Sequence, residues 1–348
     1  MIFSDRHGRR QTFSCIIGWD SNFEPFPGMS ELTILTAEDV EACGLTYQQL
    51  HQPLSEVMQE FSRGELEQPL RTRVKLPQGL FFTMPACIPS KDIVSVKTVS
   101  VINGNKDIGL PSHISNIQLF SASTGRMLVT MPADEITAKR TAVMSAIASK
   151  RFANPDSKIM CVLGAGVQAR HHILALRECF KLTEVRIWNH NFGRAKALSD
   201  ELDCIACKTV EEAAAYADII CTVTSSSVPV LFKSYVQEGC HINSVGAPAP
   251  TMREISDDLM KHSDLVVIAD SVEGAMKESG DVIHSGYQVK HELGKLLGDK
   301  EWDRNDKQHV KKITMFKNLG MACQDGVVAK MVFSASRLAY GEKKLINV

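Results

Sequence analysis

The chain has 348 residues, of which 44% are hydrophobic and 23% charged, and its formal net charge is -1. This length suits two domains with ordinary cores, and the near-zero charge gives no general attraction to nucleic acid or to anionic membranes. No apolar run approaches the roughly 20 residues that span a bilayer. The ten cysteines show no regular disulfide spacing and several lie in apolar runs, a usage typical of a reducing compartment. We therefore expect a cytoplasmic protein.

Residues 1–28 are predicted to be an N-terminal extension. The segment carries several arginines, but its acidic residues argue against a transit peptide. Its apolar stretch is also too short for a convincing signal peptide.

The first half of the chain is predicted to contain two helices followed by a sheet. Thr36-Ala-Glu-Asp39 is a capping box that begins a short helix, and a second helix is expected from about Leu50 to Arg63. Extended segments follow, with a turn at Ser123-Thr-Gly125, and they predict an antiparallel sheet. Its strands are expected at Leu70–Leu76, Leu80–Met84, Ile93–Val101, Ile117–Phe120 and Met127–Met131.

A glycine-rich turn lies between a strand and a helix in the second half. The apolar run Ile159–Leu163 predicts a buried strand, and Gly164, Gly166 and Ala169 then fill the positions of G-x-G-x-x-G/A. The first glycine permits the tight turn, the second lets the backbone approach a pyrophosphate, and the alanine lets the helix pack closely. The N-terminus of that helix presents free N–H groups to phosphates. This pattern predicts a dinucleotide site.

Strands and helices alternate from this turn to about residue 315. Such alternation predicts a parallel, doubly wound sheet with right-handed crossovers. A small-residue helix from Thr137 to Ala148 is expected to link the two halves, and a last helix from Asp325 to Leu338 is expected to return to the first half. The fold class is therefore α/β, with a Rossmann-type sheet and a second α+β part.

The end of the second strand of this sheet bears on the choice of nucleotide. In NAD sites an acidic residue there binds the ribose 2′-hydroxyl, whereas NADP sites lack it. Here Asn189-His-Asn191 follows the strand, and Arg194 lies just beyond. The absence of a carboxylate favours NADPH, although Asn189 could also bond a plain ribose, so NADH stays open. Thr222, Thr224 and Ser225 follow the fourth strand and are candidates to line the rest of the groove.

Several ordered runs of the chain resemble one known family. They strongly resemble the ornithine cyclodeaminase/mu-crystallin family between about Leu35 and Leu338, and within it the mu-crystallin branch of NADPH-dependent ketimine reductases. The runs are Pro111-Ser-His113, Ile136-Thr-Ala-Lys-Arg-Thr-Ala142, Val162-Leu-Gly-Ala-Gly-Val-Gln168, Val185-Arg-Ile-Trp-Asn189, Lys277-Glu-Ser-Gly-Asp281 and Phe316-Lys-Asn-Leu-Gly-Met321.

The resemblance implies a homodimer that acts on small amino or imino acids. It implies a substrate-binding and dimerisation domain at 29–145 plus 320–348, with the Rossmann domain at 146–319 inserted between these parts. It also implies a cationic pocket that holds the substrate carboxylate beside the nicotinamide.

The resemblance also implies roles for individual residues. Arg71 matches the carboxylate-binding arginine, Lys97 the active-site lysine, and Arg140 the arginine at the substrate–cofactor junction. Ser112 and His113 match positions that contact cofactor or ligand, and His113 joins the substrate-binding set. A guanidinium is a rigid two-pronged donor to carboxylates. A lysine beside other cations has a lowered pKa and can donate a proton, so Lys97 and Arg140 are the catalytic candidates.

The candidate cofactor-binding residues come from both halves of the chain. They are Ser112, His113, Thr141, Gly164, Ala165, Gly166, Val167, Gln168, Asn189, His190, Asn191, Arg194, Thr222, Thr224, Val245 and Gly246.

Three departures from the family pattern decide between its branches. Ornithine cyclodeaminases carry a glutamate where this chain has Phe82 and an aspartate where it has Pro248. Neither replacement can transfer a proton, so ornithine deamination is not expected. His190 stands where the reductase branch has a basic residue, which bears on how tightly a 2′-phosphate is bound.

The expected function is an NADPH-dependent reductase of cyclic ketimines such as piperideine-2-carboxylate or pyrroline-2-carboxylate. Two alternatives remain: another enzyme of the family, namely an alanine dehydrogenase or, against the evidence of Phe82 and Pro248, an ornithine cyclodeaminase, and a binder of an iodothyronine-like aromatic amino acid with little turnover. No metal is expected, because Cys204-Ile-Ala-Cys207 is a single pair without partners. We expect no nucleic-acid or membrane partner.

Overall fold

The computed structural model describes residues 2–4, 10–12, 31–299, 306, 309–340 and 345–347. Its strands, in chain order, are β1 (Ile2–Ser4), β2 (Arg10–Thr12), β3 (Glu31–Ile34), β4 (Thr72–Leu76), β5 (Gly79–Ile88), β6 (Ile93–Val101), β7 (His113–Ser121), β8 (Met127–Pro132), β9 (Ile159–Leu163), β10 (Glu184–Trp188), β11 (Ile205–Cys207), β12 (Ile219–Thr222), β13 (His241–Ser244), β14 (Leu265–Ala269), β15 (His291–Glu292), β16 (Ile313–Lys317) and β17 (Leu345–Asn347).

The α-helices, in the same order, are α1 (Ala37–Ala42), α2 (Tyr47–Ser62), α3 (Asp134–Phe152), α4 (Val167–Cys179), α5 (Phe192–Leu202), α6 (Val210–Ala214), α7 (Asp257–Met260), α8 (Val272–Glu278), α9 (Gly280–Ser285), α10 (Leu293–Gly298) and α11 (Ala322–Tyr340). None of these described helices is long and apolar enough to cross a bilayer.

Most of the predicted extension 1–28 lies outside the described residues. Within it, β1 and β2 pair antiparallel with each other and form a separate two-stranded sheet.

A seven-stranded sheet is built from the first half of the chain and β17, in the order β17-β3-β8-β7-β6-β5-β4. The strands from β4 to β8 pair antiparallel, as predicted. The sheet also contains β3, for which no strand was predicted; it pairs parallel with β8 and antiparallel with β17. The long connection through α1 and α2 permits this parallel pairing, and four residues are too few to show a clear strand pattern.

The face of this mixed sheet that carries Lys97 is covered by helices. Ile93, Ser95 and Lys97 share one side of β6 because side chains alternate along a strand, and all three are buried. Helix α11 packs against this side. Gly326 permits the close approach, since a Cβ there would lie 2.7 Å from the Ser95 Cβ. The returning helix is thereby brought directly beside Lys97.

The second sheet has eight strands, all parallel, in the order β11-β10-β9-β12-β13-β16-β14-β15. The chain moves outward from β9 in one direction and then in the other, so the predicted doubly wound Rossmann-type sheet is confirmed. The sequence pattern did not resolve β16, which lies between β13 and β14. Helix α3 packs against both sheets.

Helix limits follow the capping residues. The capping box at Thr36 and Asp39 is present, as predicted. A second box, formed by Thr46 and Gln49, begins α2 three residues before the predicted start at Leu50. Such reciprocal side-chain and backbone bonds satisfy the free N–H groups of a first turn.

Candidate active site

A cavity of about 310 Å³ lies between the mixed sheet and the carboxyl ends of the parallel strands, and we name it the central cavity. One wall comes from the mixed sheet and α3, and the other from loops that follow the parallel strands. The lining residues are Arg71, Leu80, Phe82, Met84, Lys97, Val99, Val101, His113, Thr137, Arg140, Thr141, Gln168, Val223, Ser225, Val245, Gly246, Pro248, Ala249, Thr251, Met252, Asn318 and Leu319.

All four predicted substrate-binding residues line this cavity. Lys97 from β6 and Arg140 from α3 are only 3% and 4% exposed. Arg71 lies just before β4 and is partly buried, whereas Arg73, two residues later, is exposed. His113 at the start of β7 is exposed at the cavity rim, where its Nδ1 lies 3.1 Å from the Ser112 Oγ.

Asp325 on α11 is the shared counter-ion of Lys97 and Arg140. Its Oδ1 accepts from Arg140 Nε at 2.8 Å, and both of its oxygens lie 3.3 Å from Lys97 Nζ. Lys97 also donates to Thr137 Oγ1 at 2.6 Å. Asp325 is fully buried, and a buried carboxylate is costly unless it is paired in this way. The sequence reasoning missed this residue.

Burial lowers the pKa of Lys97 to about 8, although the Asp325 carboxylate opposes this shift. Desolvation disfavours the ammonium form, and the nearby guanidinium of Arg140 adds repulsion. The side chain is therefore mostly protonated at neutral pH and can release its proton at low cost. This is the property required of a general acid.

Arg71 is held by a carboxylate and by a tight turn. Its Nε donates to Glu278 Oε2 at 3.0 Å, and its Nη2 donates to the carbonyl oxygens of Leu319 and Gly320, both at 3.1 Å. Gly320 has φ +81°, and a Cβ there would lie 2.5 Å from Arg140 Nη1. Only glycine can therefore stand in this turn between the two arginines.

Asp270 fixes the same turn from behind. Its Oδ2 accepts from the backbone N–H groups of Leu319 and Gly320 at 2.8 and 2.7 Å. Burial raises its pKa to about 6, and burial also raises the pKa of Glu278. Glu278 lies in the run Lys277-Glu-Ser-Gly-Asp281, which marked the family but assigned this carboxylate no role.

The glycine-rich turn has the geometry expected for a dinucleotide site. Gly164 has φ +125°, and a Cβ there would lie 2.8 Å from Val223. A Cβ at Gly166, the N-cap of α4, would meet open space, which leaves room for a phosphate at the helix N-terminus. Ala169 is fully buried against the sheet. Of the predicted residues in this turn, Gln168 lines the central cavity and Gly164, Ala165, Gly166 and Val167 lie beyond it.

The end of β10 carries polar groups and no carboxylate. Asn189 Oδ1 accepts from the Asn191 N–H at 3.0 Å, and Asn191 in turn caps α5 by accepting from the Arg194 N–H at 3.3 Å. His190 and Arg194 are exposed here. A histidine and an arginine are therefore exposed after the second strand of the parallel sheet, the position from which Rossmann-type proteins contact the ribose 2′-substituent.

Thr222 and Thr224 do not open onto the groove as the sequence suggested. Both hydroxyls donate to Glu254, at 2.7 Å each, and the N–H groups of Thr224 and Gly246 donate to the same carboxylate at 2.5 and 2.7 Å. Glu254 is fully buried. It therefore joins the loops after β12 and β13, from which Val223, Ser225, Val245 and Gly246 reach the cavity.

The segment that carries Glu254 is itself anchored to a buried ion pair. Asp281 Oδ1 accepts from the N–H groups of Glu254 and Ile255 at 2.8 and 3.0 Å, while its Oδ2 pairs with Lys317 Nζ at 2.8 Å. Both charged side chains are fully buried. Within the described ranges no three histidine, cysteine or acidic side chains group as metal ligands.

Comparison with known proteins identifies the family of this chain. The sequence profile of the ornithine cyclodeaminase/mu-crystallin family matches residues 30–338. The chain belongs to this family. Among its relatives is the ketimine reductase mu-crystallin of Mus musculus, which is 40% identical over 308 residues, or 86% of this chain and 96% of that protein. A delta(1)-pyrroline-2-carboxylate reductase of Bacillus cereus is 29% identical and covers 79% of this chain and 88% of its own length.

Solved structures of the family share the fold. The delta(1)-pyrroline-2-carboxylate reductase of Thermococcus litoralis, in complex with NADH and L-proline, superposes with a TM-score of 0.82 at 30% identity, over 91% of this chain and 100% of that one. An archaeal alanine dehydrogenase dimer with bound NAD gives 0.83 at 27% identity, over 91% and 99%. This member of the family is an enzyme of the oxidoreductase class, with the Rossmann-type fold found in nicotinamide-dependent proteins.

Proposed function

We propose that this enzyme reduces cyclic ketimines with NADPH, transferring a hydride to the carbon of a C=N bond. One observation carries the proposal: Lys97, Arg140 and Arg71 line one cavity, while the cavity positions of the cyclodeaminase acids hold Phe82 and Pro248. Three cationic side chains suit a substrate with a carboxylate. Unlike a carboxylate, neither Phe82 nor Pro248 can accept a proton from a substrate amine or from water.

Each side chain has a distinct task in this proposal. Arg71 and Arg140 hold the substrate carboxylate, because a guanidinium N–H forms a strong, charge-assisted hydrogen bond with a carboxylate oxygen. Lys97 donates its proton to the imine nitrogen, directly or through a water molecule. Reduced nicotinamide, when bound, supplies the hydride. The apolar wall of the cavity excludes water and strengthens the electrostatic interactions inside.

A panel of substrates tests this function. We expect NADPH oxidation with piperideine-2-carboxylate and pyrroline-2-carboxylate, and little or none with pyruvate plus ammonia. We also expect no conversion of ornithine to proline and ammonia in the presence of an oxidised coenzyme. With saturating NADPH, kcat should fall as pH rises through about 8, the pKa of Lys97, because the proton donor is then lost. A kcat that instead rises with pH across the neutral range would contradict the role of Lys97, and activity confined to pyruvate and ammonia would identify an alanine dehydrogenase.

The preference for NADPH is a separate proposal. It is supported by the absence of a carboxylate at the end of β10 and by the exposed His190 and Arg194. The substitution Asn189→Asp should lower kcat/KM for NADPH by at least about tenfold while leaving NADH use unchanged or improved, since a carboxylate repels the 2′-phosphate. Steady-state kinetics with both coenzymes measure this. An unmodified enzyme that already prefers NADH would refute the NADPH proposal.

The apolar wall of the central cavity favours an alternative function, the binding of an aromatic ligand. Leu80, Phe82, Val99 and Val101 line one side of the cavity, which would accommodate an aromatic amino acid of the iodothyronine kind. Tight binding of such a ligand without oxidation of NADPH on any imine would favour a binding protein over a reductase.

Three further expectations stand as proposals. The enzyme is proposed to be a homodimer, as the archaeal alanine dehydrogenase is described, and sedimentation measures this. The proposed domains are 29–145 plus 320–348 for substrate and 146–319 for nucleotide, with 1–28 as an extension. A cytoplasmic location agrees with the nine described cysteines, which are all free thiols.

A further inference from the structure

Asn318 lines the central cavity and has an unused, buried hydrogen-bond acceptor. It follows β16 directly and is 1% exposed. Its Nδ2 donates to the Thr141 carbonyl at 3.0 Å and to Ser145 Oγ at 3.2 Å, whereas its Oδ1 is buried without a partner. A buried polar atom left unpaired costs about 1–3 kcal/mol. A ligand that donates to Oδ1 would remove this cost.

The orientation of this amide is determined by its neighbours. A backbone carbonyl can only accept, so the contact with the Thr141 oxygen requires the NH₂ group on that side. The amide oxygen is then the atom left for a ligand. The second hydrogen of Nδ2 goes to Ser145, which must therefore accept.

His172 ensures that Ser145 accepts. Its Nδ1 lies 2.7 Å from the Gln168 carbonyl oxygen and must carry the proton of that bond. The imidazole is fully buried, and burial lowers its pKa to about 4, so it is neutral and its Nε2 is an acceptor. The Ser145 hydroxyl lies 2.9 Å from Nε2 and donates to it. The Ser145 oxygen is thereby left to accept from Asn318.

We propose that His172 and Ser145 are positioning residues that fix the Asn318 amide, so that its Oδ1 accepts a hydrogen bond from the carboxamide NH₂ of the nicotinamide. This inference rests on the proposed function, because it assumes that a nicotinamide coenzyme occupies the cavity. Asn318 contacts Thr141, the residue after Arg140, and lines the same cavity as Arg140 and Lys97. The carboxamide is the donor group that the nicotinamide ring carries.

Coenzyme binding without substrate tests the proposal. The 3-acetylpyridine analogue of NADPH replaces the carboxamide NH₂ with a methyl group and keeps the carbonyl. Calorimetry measures both Kd values for the unmodified enzyme. We expect the ratio of the Kd of the analogue to that of NADPH to be about ten, because a tenfold change in Kd corresponds to about one hydrogen bond. In Asn318→Ala this ratio should fall close to one, because no acceptor is then left unpaired by the methyl group.

The hydrogen-bonded series from His172 through Ser145 to Asn318, which we call the relay, is tested by substituting two matched serines of α3. Ser145→Ala should lower the ratio to about threefold, since the amide is then held by Thr141 alone. Ser149→Ala removes an equally buried hydroxyl that donates to the Ser145 backbone carbonyl at 2.8 Å and takes no part in the relay, so the ratio should stay near ten. Thermal unfolding of each variant identifies any that does not fold, and Ser145→Ala tests the proposal if Asn318→Ala fails to fold.

Several outcomes would overturn the inference. If Asn318→Ala bound NADPH and its analogue more weakly by the same factor, the Asn318 Oδ1 would accept from a different donor of the coenzyme, such as a ribose hydroxyl, and not from the carboxamide. If the ratio of the two Kd values were the same in Ser145→Ala and Ser149→Ala, Ser145 would not position the Asn318 amide. Failure to bind either coenzyme would overturn both this inference and the proposed function, whereas coenzyme binding with the expected ratios but no reduction of any ketimine would overturn the function alone.

Discussion

Lys97→Met is expected to lower kcat on piperideine-2-carboxylate by about 10²- to 10³-fold, the usual contribution of a positioned general acid. Methionine keeps most of the length of the side chain but has no proton to donate. Asp325 would retain its bond to Arg140, so the cavity keeps a paired carboxylate. The fall in kcat with pH near 8 should also disappear, because its titrating group has been removed. Pre-steady-state oxidation of NADPH measures the chemical step directly.

Lys75→Met is the matched control. Lys75 lies on β4 of the same sheet and is exposed, so the same substitution there should leave kcat and its pH profile unchanged. A Lys97→Met enzyme that kept more than about a tenth of the unmodified kcat would show that the lysine does not donate the proton. If Lys97→Met raised KM and left kcat unchanged, Lys97 would serve to bind the substrate carboxylate.

Asp325→Asn is expected to lower both stability and activity. The substitution leaves Lys97 and Arg140 buried without their counter-charge, and breaking a buried ion pair from one side costs about 3–5 kcal/mol. Loss of the carboxylate also removes the interaction that raises the pKa of Lys97. The pH at which kcat falls should therefore move below 8. Chemical denaturation measures the stability, and the pH profile of kcat measures the shift.

Asp281→Asn separates the loss of stability from the shift in the pH profile of kcat. Asp281 is an equally buried carboxylate paired with a lysine, Lys317, but unlike Asp325 it is not among the groups that shift the pKa of Lys97. It should lower the free energy of unfolding as well, yet leave the pH dependence of kcat in place. If both variants shifted the profile alike, the effect would come from general loosening of the fold, and Asp325 would not control the proton donor.

The cationic half of the site could be predicted from sequence because its residues lie in motifs. Arg140 stands in a run that resembles the family, and Lys97 matches the active-site lysine of that family. The turn from Gly164 to Ala169 has a spacing with a stereochemical cause. The elements around them were also visible, since β6 alternates in polarity and β9 is continuously apolar.

The carboxylates of the site, Asp325 and Glu254, could not be predicted, because they contact their partners only through the tertiary fold. Asp325 is 228 positions from Lys97 along the chain, and nothing in the run around it distinguishes a buried carboxylate from a solvated one. Glu254 lies in no motif, so the hydroxyls of Thr222 and Thr224 were interpreted as ligand contacts. The parallel strand β3 was missed for the same reason, since its partner β8 follows six other strands and helices along the chain.

The position of Asp325 near the end of the chain has a consequence for biosynthesis. Lys97 and Arg140 leave the ribosome 228 and 185 residues ahead of the carboxylate that neutralises them. Until α11 has been made, the nascent N-terminal half would have to bury two positive charges with no negative one, which is strongly unfavourable. Closure of the catalytic centre is thus a late event of folding, and a chain that terminates before α11 would be left as a target for quality control.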